Sequence, residues 1–241
     1  MSISVIVPAY NEENWISDTL EHIDRAKKYL RDRGGPPVEI LVVDNASTDR
    51  TVELAQASKA RVVQETVHSV AKARNTGAKT AHGDILVFVD ADVTVPETLL
   101  WRITQLLSDP VCVGGAVDTD YQPARFSVRI YLRAWRIVGK VLMMAQGAVQ
   151  FLRRDAFFSL GGYDETLYMG EDVDFYWRLR RIARKQGLQV CLISDVSVIS
   201  SCRRFDQWPL WRTLIWTNPL VVFFFRRRRD FWYGWYQRPP R

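Results

Sequence analysis

Apolar and polar positions along the first third of the chain predict strands that alternate with helices. Short runs rich in β-branched residues are bounded by polar or turn-forming residues, which is the pattern of buried strands. Between these runs, apolar residues recur at the spacing of an amphipathic helix. We predict strands at residues 4–8, 40–43, 61–64 and 85–89, and helices at residues 15–30, 51–57 and 71–81.

The alternation of strands and helices predicts an α/β fold built from βαβ units around a mostly parallel central sheet. Three of the predicted strands run directly into polar residues: the segment 8–12, Asp44 with Asn45, and Asp90 with Asp92. Ligands of such sheets bind beyond the carboxyl ends of the strands. The sequence therefore predicts a binding crevice at one edge of the sheet.

The length of 241 residues suits one large α/β domain or two small ones. Cys112, Cys191 and Cys202 are scattered, so we expect neither a disulfide framework nor a zinc site. The same observation favours a reducing compartment. Residues 1–13 lack the pattern of a signal peptide, and the longest apolar run, 214–225, is too short to span a bilayer. These features predict a cytoplasmic location.

The formal charge of +6 is concentrated at the carboxyl end. Residues 201–241 hold nine arginines and only two acidic residues, together with five of the nine tryptophans. Residues 1–200 are close to neutral. A basic, aromatic tail on a near-neutral body predicts contact with an anionic surface, either phospholipid or nucleic acid.

Asp90 and Asp92 flank one small residue at the end of an apolar strand. Alternate residues of an extended segment point the same way, so both carboxylates can face one site. Hard oxygen ligands suit Mn²⁺ or Mg²⁺, and these ions often bridge to phosphates. The alternative is a strand-ending aspartate that caps a turn.

Five segments of the chain carry recognisable motifs: VIVPAYNEE (5–13), EILVVDNASTDRT (39–51), AKARNTGAKTAHGDILVFVDADV (71–93), GGYDE (161–165) and GEDVDFYWRL (170–179). In order and spacing they resemble the family-2 glycosyltransferases, which have the GT-A fold, a Rossmann-like three-layer sandwich. The resemblance covers about residues 3–185, and although each segment alone is weak evidence, the five in register are highly specific. It implies a GT-A domain at 1–200, with a nucleotide-binding half at about 1–93 and an acceptor half at about 94–200, followed by the tail at 201–241.

The family's activity is the inverting transfer of a sugar from a nucleotide-diphosphate sugar, assisted by Mn²⁺ or Mg²⁺. Acidic side chains suit the nucleotide because they accept hydrogen bonds from base N–H groups and ribose hydroxyls. A helix N-cap is the alternative role for Asp44. The resemblance places the base and ribose near Pro8, Ala9, Glu12 and Asp44, the nucleotide or diphosphate near Arg74, the ribose or sugar near Asp90, and the metal at Asp92.

Asp172 matches the family's general base, which takes the acceptor's proton as its oxygen attacks the anomeric carbon. Glu171 and Asp172 also precede a predicted helix at 173–183, where first-turn acids are favoured by the helix dipole. Both roles are compatible. Arg178 is as good a partner for these acids as for a substrate.

The chain departs from the family pattern at one metal ligand. Many relatives supply a histidine in the strand region after this helix, but the matching stretch 190–202 has none. Ser200, Ser201 or water could fill the position, so Asp92 and the diphosphate would hold the metal. The histidines of the chain, all upstream, are His22, His68 and His82.

A helix is predicted at 126–144, with basic residues at 125, 129, 133, 136 and 140 forming one stripe. It could lie in a membrane interface, or pack on the core with a solvated basic face. The tail could contact membrane or a lipid acceptor, pack internally or oligomerise, or bind nucleic acid. Residues 214–225 are too apolar for a solvated nucleic-acid-binding arm, so we expect peripheral membrane contact through 125–144 and 203–241.

The leading hypothesis is a glycosyltransferase on the inner face of the cell membrane, which uses a UDP-sugar rather than a GDP-sugar and a lipid-linked or cell-envelope glycan acceptor. A sugar-phosphate nucleotidyltransferase is the first alternative, but it would need a glycine-rich loop, and residues 8–13 are acidic and lack glycine. The second is a catalytically silent membrane or partner-binding module. Intact Asp44, Asp90, Asp92 and Asp172 argue against it.

Overall fold

The computed structural model describes residues 1–141 and 147–236 of the chain. The strands are β1 (Ile3–Ala9), β2 (Val38–Asp44), β3 (Arg61–Gln64), β4 (Ile85–Val89), β5 (Val93–Thr94), β6 (Cys112–Tyr121), β7 (Val149–Arg153) and β8 (Gln189–Ser200). The helices are α1 (Ile16–Arg31), α2 (Thr51–Ala57), α3 (Val70–Thr80), α4 (Leu99–Leu107), α5 (Phe126–Val141), α6 (Arg154–Ser159), α7 (Glu171–Lys185), α8 (Arg203–Gln207), α9 (Leu210–Trp216), α10 (Pro219–Phe225) and α11 (Arg229–Tyr236).

The strands form one sheet in the order β3-β2-β1-β4-β7-β6-β8-β5. β3, β2, β1 and β4 run parallel to one another, and β6 runs parallel to β8. β7 runs antiparallel between β4 and β6, and β5 pairs antiparallel with β8. The sheet is mostly parallel, which confirms the predicted α/β class.

Helices cover both faces of the sheet because side chains alternate along each buried strand. Val5 and Val7 of β1 lie in a core with α1, α2 and α4. Ile6, between them, lies in a second core with α3, α6 and α7. This arrangement is the predicted three-layer sandwich.

Gly77 lets α3 approach the sheet closely. A Cβ atom at this position would lie 2.4 Å from Cγ2 of Ile6 and 2.9 Å from Cγ2 of Val43. A larger residue would push the helix outward or displace both strand side chains. The close contact also holds Arg74, one turn earlier in α3, over the carboxyl ends of the strands.

Most predicted elements match within two residues, and α2, β3 and β4 have the predicted limits. Helix α7 begins two residues earlier than predicted, so Asp172 lies in its first turn. Residues 142–144 of the predicted amphipathic helix lie outside the described residues. Within residues 1–141 and 147–236, no helix combines the length and apolar character needed to cross a bilayer.

Some of the tail packs internally. Trp208 and Trp232 are buried, and both meet the ring of Trp216 edge to face, at 5.1 and 5.6 Å. The hydroxyls of Tyr131 in α5 and Thr217 in the tail lie 2.5 Å apart. Helix α5 and the tail therefore pack together, while residues 237–241 of the predicted membrane contact lie outside the described residues.

Candidate active site

A cleft of about 280 Å³ opens where the strands β1, β4 and β8 end. Seven of the eight residues predicted for the site line it, and they come from segments more than 160 residues apart in sequence. The predicted crevice therefore exists in the folded chain. The seven are Pro8, Ala9, Glu12, Arg74, Asp90, Asp92 and Asp172.

Asp44, the eighth, is buried beside the cleft and is not one of its lining residues. Its Oδ1 accepts a hydrogen bond from the Ser47 N–H at 3.1 Å, so it stabilises the turn after β2. Asn45 lines the cleft instead, and its side chain accepts a hydrogen bond from the Ser69 N–H at 2.8 Å. Asp44 is not the N-cap of α2, since that position is Arg50, so the helix N-cap alternative is not what the structure shows. The nucleotide role of Asp44 stays a prediction.

Arg74 organises the floor of the cleft. Its Nη2 donates to Oδ1 of Asp90 and its Nη1 to Oε1 of Glu171, each at 2.8 Å. The guanidinium is 4% exposed and lies over the ring of Tyr163. Burial alone would lower the pKa of Arg74, but the neighbouring carboxylates raise it, so the group is a permanent cation.

The carboxyl groups of the cleft are close enough to perturb one another. Burial raises the pKa of Asp90 to about 6 against the opposing charge of Arg74, and the charges of Asp92 and Asp172 add to the rise. About a third of the Asp90 side chain still faces the open cleft. Burial likewise raises the pKa of Glu171 well above its usual range, and Asp172 contributes. Such a concentration of negative charge favours a bound cation.

Asp172 is positioned by the start of helix α7 and by two glycines, Gly147 and Gly170. Gly170, with φ of 71°, allows the left-handed turn that begins α7. Oδ1 of Asp172 accepts a hydrogen bond from the Val173 N–H at 2.8 Å, and its backbone carbonyl accepts one from Nε2 of Gln150 at 3.0 Å. A Cβ atom on Gly147 would lie 2.3 Å from Oδ2 of Asp172, so only glycine leaves room for this carboxylate.

Arg178 binds Asp174, one turn earlier in its own helix, and not Glu171 or Asp172, the acids for which the sequence offered it as a partner. Its Nε donates to Oδ2 of Asp174 at 2.7 Å, and its Nη atoms donate to the carbonyls of Leu160 and Gly162. It does not contribute to the lining of the cleft. Of the two roles open from the sequence, the observed contacts are those of a structural partner.

Asp92 fits a divalent cation that arrives with other ligands. Its carboxylate lies in the cleft, and its oxygens suit Mn²⁺ or Mg²⁺. Among the described residues, no group of three or more His, Cys, Asp or Glu side chains is placed to hold a metal ion. Ser200 and Ser201 line the cleft at the position expected for the missing histidine. The donor set therefore matches a metal shared with diphosphate oxygens.

Several lining residues were not predicted from the sequence. The rings of Tyr10 and His68 meet edge to face at 3.9 Å, and burial lowers the pKa of His68. Arg203 and Arg204 begin α8, separated from the end of β8 by two residues, and from the sequence they are predicted only as part of the basic tail. The rule used for the other strands, that polar residues after a strand line the crevice, would have found them.

Comparison with known proteins agrees with this geometry. The family model of glycosyl transferase family 2 matches residues 4–161. The chain belongs to glycosyl transferase family 2. The match confirms the resemblance carried by the sequence motifs, and the fold with it.

Other members of this glycosyltransferase family resemble the chain over different lengths. Glycosyltransferase AglE of Haloferax volcanii is 28% identical over 217 residues, which cover 85% of this chain and 68% of AglE. An undecaprenyl-phosphate 4-deoxy-4-formamido-L-arabinose transferase of Edwardsiella ictaluri is 28% identical over 60% of this chain and 44% of that protein. The chain thus spans about two thirds of the length of AglE and less than half of the length of the arabinose transferase.

Solved glycosyltransferases share the fold. The mannosyltransferase PcManGT of Pyrobaculum calidifontis, in complex with GDP-Man and Mn²⁺, is 25% identical, with a TM-score of 0.63 over 82% of this chain and 56% of PcManGT. Glucosyl-3-phosphoglycerate synthase of Mycobacterium tuberculosis, solved with Mn²⁺ and UDP, is 24% identical, with a TM-score of 0.62 over 94% of this chain and 79% of the synthase. This family-2 chain is thus a GT-A transferase in its architecture.

Proposed function

We propose that the chain is an inverting glycosyltransferase that moves a sugar from a nucleotide-diphosphate sugar, UDP-linked rather than GDP-linked, to a lipid-linked or cell-envelope glycan acceptor. The convergence of Asp90, Asp92 and Asp172 with Arg74 in one cleft is the observation that carries the proposal. These groups come from two of the five segments that resemble the family, 71–93 and 170–179. PcManGT, with GDP-Man and Mn²⁺ bound, supports a nucleotide-sugar donor.

The donor side of the cleft is built from the ends of β1 and β4. Pro8, Ala9 and Glu12 would hold the nucleoside, with Asp44 behind them, and Asp90 would face the ribose or sugar. Asp92 would hold Mn²⁺ or Mg²⁺, which stabilises the charge that develops on the departing diphosphate. The protein's own contribution is to fix these carboxylates in place, and Arg74 does so for Asp90.

The acceptor side is the wall that contains Asp172. Its carboxylate, held against Gly147, would take the proton of an acceptor hydroxyl as that oxygen attacks the anomeric carbon. A phosphate acceptor needs little deprotonation. With such an acceptor, Asp172 would position or stabilise it instead. The arabinose transferase relative, named for undecaprenyl phosphate, supports an acceptor of this kind.

Incubation with a panel of UDP- and GDP-sugars and Mn²⁺ tests the donor proposal. We expect slow release of nucleoside diphosphate from one donor, and an inverted product by NMR once an acceptor is found. Asp92→Asn should lower the rate on the order of a hundredfold, because the metal loses its only proposed carboxylate. Asp195→Asn, which removes an exposed carboxylate paired with Arg102, is the matched control and should leave the rate unchanged. Product from a nucleoside triphosphate and a sugar phosphate, with every nucleotide-sugar inert, would instead identify a nucleotidyltransferase.

An apolar surface borders the mouth of this cleft. The Tyr168 N–H donates to the Arg226 carbonyl at 2.7 Å, and a Cβ atom on Gly170 would lie 3.2 Å from Val222. Tyr168 and Gly170 both line the cleft, so α10 lies directly beside it. In the part of the tail whose side chains are described, residues 201–232, the large exposed apolar side chains are Leu210, Trp211, Leu214, Ile215, Leu220, Phe223 and Phe224.

Helix α5 also presents part of its apolar side outward, although Val128 and Leu132 are buried. Arg125, Arg129 and Arg136 of the predicted cationic stripe bind protein oxygens, Arg136 through Asp118 and Asp120. The core-packing alternative expects a solvated basic face, and part of the stripe is one, because Arg133 is exposed. Over residues 126–139, where the side chains of α5 are described, the large exposed apolar ones are Phe126, Ile130, Ile137 and Val138.

We propose that α5 and the tail bind an anionic membrane and bring the cleft to a lipid-linked acceptor. Exposed apolar rings enter the headgroup region, and clustered arginines add about 1 kcal/mol each near an anionic surface. Arg226 and Arg227 also bind Asp174 and Asp164, at 3.6 Å each, so the tail is fixed to the loop and helix beside the cleft.

Co-sedimentation with vesicles tests the membrane proposal. The double variant Phe223→Ser with Phe224→Ser should lose most of the binding to phosphatidylglycerol vesicles, because two exposed rings of α10 are removed. Phe158→Ser, which removes an exposed ring of α6, is the control and should bind as the unaltered chain does. Equal binding by all three proteins would show that the tail is not the membrane contact.

A further inference from the structure

Arg203 and Arg204 line the cleft as two consecutive cations. The backbone just before them is held by the sheet, because the Ser201 N–H donates to the Asp92 carbonyl at 3.1 Å and Ser200 pairs with Val93. Arg203 therefore comes from a fixed segment beside the predicted metal-binding carboxylate, and not from a free arm.

The guanidinium of Arg203 bridges the ends of β1 and β4. Its Nη2 donates to Oε1 of Glu12 at 2.5 Å and lies 3.3 Å from Oδ2 of Asp92. The three side chains are only 9%, 11% and 18% exposed, so water screens these charges weakly. The positive charge that faces Asp92 is thus supplied by the chain itself.

The balance of charges in the cleft lining suggests that Arg203 also binds an anionic ligand. The lining has more carboxylates than guanidinium groups, and Arg74 is already bound by Asp90 and Glu171. A nucleoside diphosphate would bring further negative charge, which must be matched by cations within the cleft. The carboxylates are Glu12, Asp90, Asp92, Glu171 and Asp172, and the guanidinium groups are Arg74, Arg203 and Arg204.

The resting ion pair leaves hydrogen-bonding groups unsatisfied. In the part of the chain that the structure describes, Nε of Arg203 and Oε2 of Glu12 are buried without a hydrogen-bond partner. A buried unpaired donor is unfavourable, and a guanidinium presents paired N–H groups that match phosphate oxygens. A diphosphate could therefore satisfy Arg203 better than its present partners do.

We propose that Arg203 is a diphosphate-binding residue that competes with the divalent cation for Asp92. Without a donor, its guanidinium neutralises Asp92 and Glu12. When a nucleoside diphosphate enters, the guanidinium binds the phosphate oxygens and leaves the Asp92 carboxylate open to the metal ion. The inference rests on the proposed function and gives the segment just after 190–202, the stretch without the histidine of many relatives, a role in donor binding.

Calorimetric binding of UDP, GDP and Mn²⁺ to the full chain tests this without turnover. In EDTA, Arg203→Met should bind the preferred nucleotide about 10- to 100-fold more weakly, because a charged hydrogen-bond donor is lost. Without nucleotide, the same variant should bind Mn²⁺ about tenfold more tightly, because the cation that opposes the metal is gone. Arg102→Met, which removes an arginine paired with Asp195 outside the cleft, should change neither affinity.

Arg203→Lys separates the effect of the positive charge from that of the guanidinium geometry. It also provides a second test if the methionine variant does not fold. Lysine keeps the positive charge but lacks the planar fork. We expect Mn²⁺ affinity near that of the unaltered chain and weaker nucleotide binding in EDTA. Unchanged nucleotide affinity in both variants would overturn the inference and leave the proposed function standing. Failure of the unaltered chain to bind UDP or GDP under any condition would overturn both.

Discussion

Asparagine in place of Asp172 is expected to lower sugar transfer to a hydroxyl acceptor by about 10²- to 10⁴-fold, the usual contribution of a general base. The change removes the proton acceptor but keeps the shape that fits against Gly147. Binding of the donor should stay within about a few-fold, because the base acts on the acceptor. Initial transfer rates and calorimetric nucleotide affinity, measured on the same preparation, check both statements.

Asp174→Asn is the matched control. Asp174 lies in the same first turn of α7 but pairs with Arg178 and Arg226 instead of lining the cleft. If the first-turn acids act only through the helix dipole, each contributes about 0.3–1 kcal/mol to the stability of the helix. Both variants should then show the same small loss of transfer rate. Equal effects would contradict the base role. A phosphate acceptor would show a smaller loss in Asp172→Asn than a hydroxyl acceptor, since it has no proton to give up.

Local patterns in the sequence were sufficient to predict a crevice at the carboxyl ends of β1 and β4. Asp90 and Asp92 follow an apolar run that could only be a buried strand, and parallel strands bring their carboxyl ends to one edge. The resemblance supplied Asp172, 80 residues further along, for which spacing gives no indication. The structure places all three side chains in one cleft.

Contacts between distant segments could not be predicted in this way. Arg74 pairs with Glu171 across 97 positions, and Arg203 pairs with Glu12 across 191. Neither pair has a periodic signal, because the partners come from different elements. Strand β7, antiparallel between β4 and β6, likewise depends on long-range pairing.

The orientation of α5 shows a related limit. Its pattern defines a basic stripe and an apolar remainder, but it does not say which side packs on the sheet. Arg136 faces the sheet, where it forms ion pairs with Asp118 and Asp120 of β6. Its neighbour Ile137 is consequently exposed. A buried acidic partner decided the orientation, and that partner lies outside the helix.

Methionine in place of Arg74 is expected to lower the free energy of unfolding by about 3 kcal/mol, the lower end of the cost of breaking a buried ion pair. The lower end applies because Asp90 is partly open to the cleft and keeps some hydration. The variant leaves Asp90 and Glu171 as neighbouring carboxylates without their cation. Urea unfolding at neutral pH measures the loss.

Arg25→Met is the control for the loss of a paired arginine. Arg25 pairs with Glu21 one turn earlier in α1, and both side chains are more than half exposed. Such a pair contributes about 0.5 kcal/mol or less. A similar loss in both variants would show that burial of the Arg74 pairs adds nothing to stability.

The pH dependence of the Arg74→Met variant identifies the carboxylates as the cause. Burial has already raised the pKa of Asp90 to about 6 and that of Glu171 above its usual range, so the folded state binds their protons more tightly than the unfolded state. Their contribution to stability is therefore full at low pH and is lost as the pH rises through the folded pKa values. Without Arg74 these pKa values rise further, because its charge opposed the shift. The variant's deficit relative to the unaltered chain should thus be larger at about pH 8 than at about pH 5.5. A deficit that is independent of pH would mean that lost packing against Tyr163, and not two uncompensated charges, destabilises the variant.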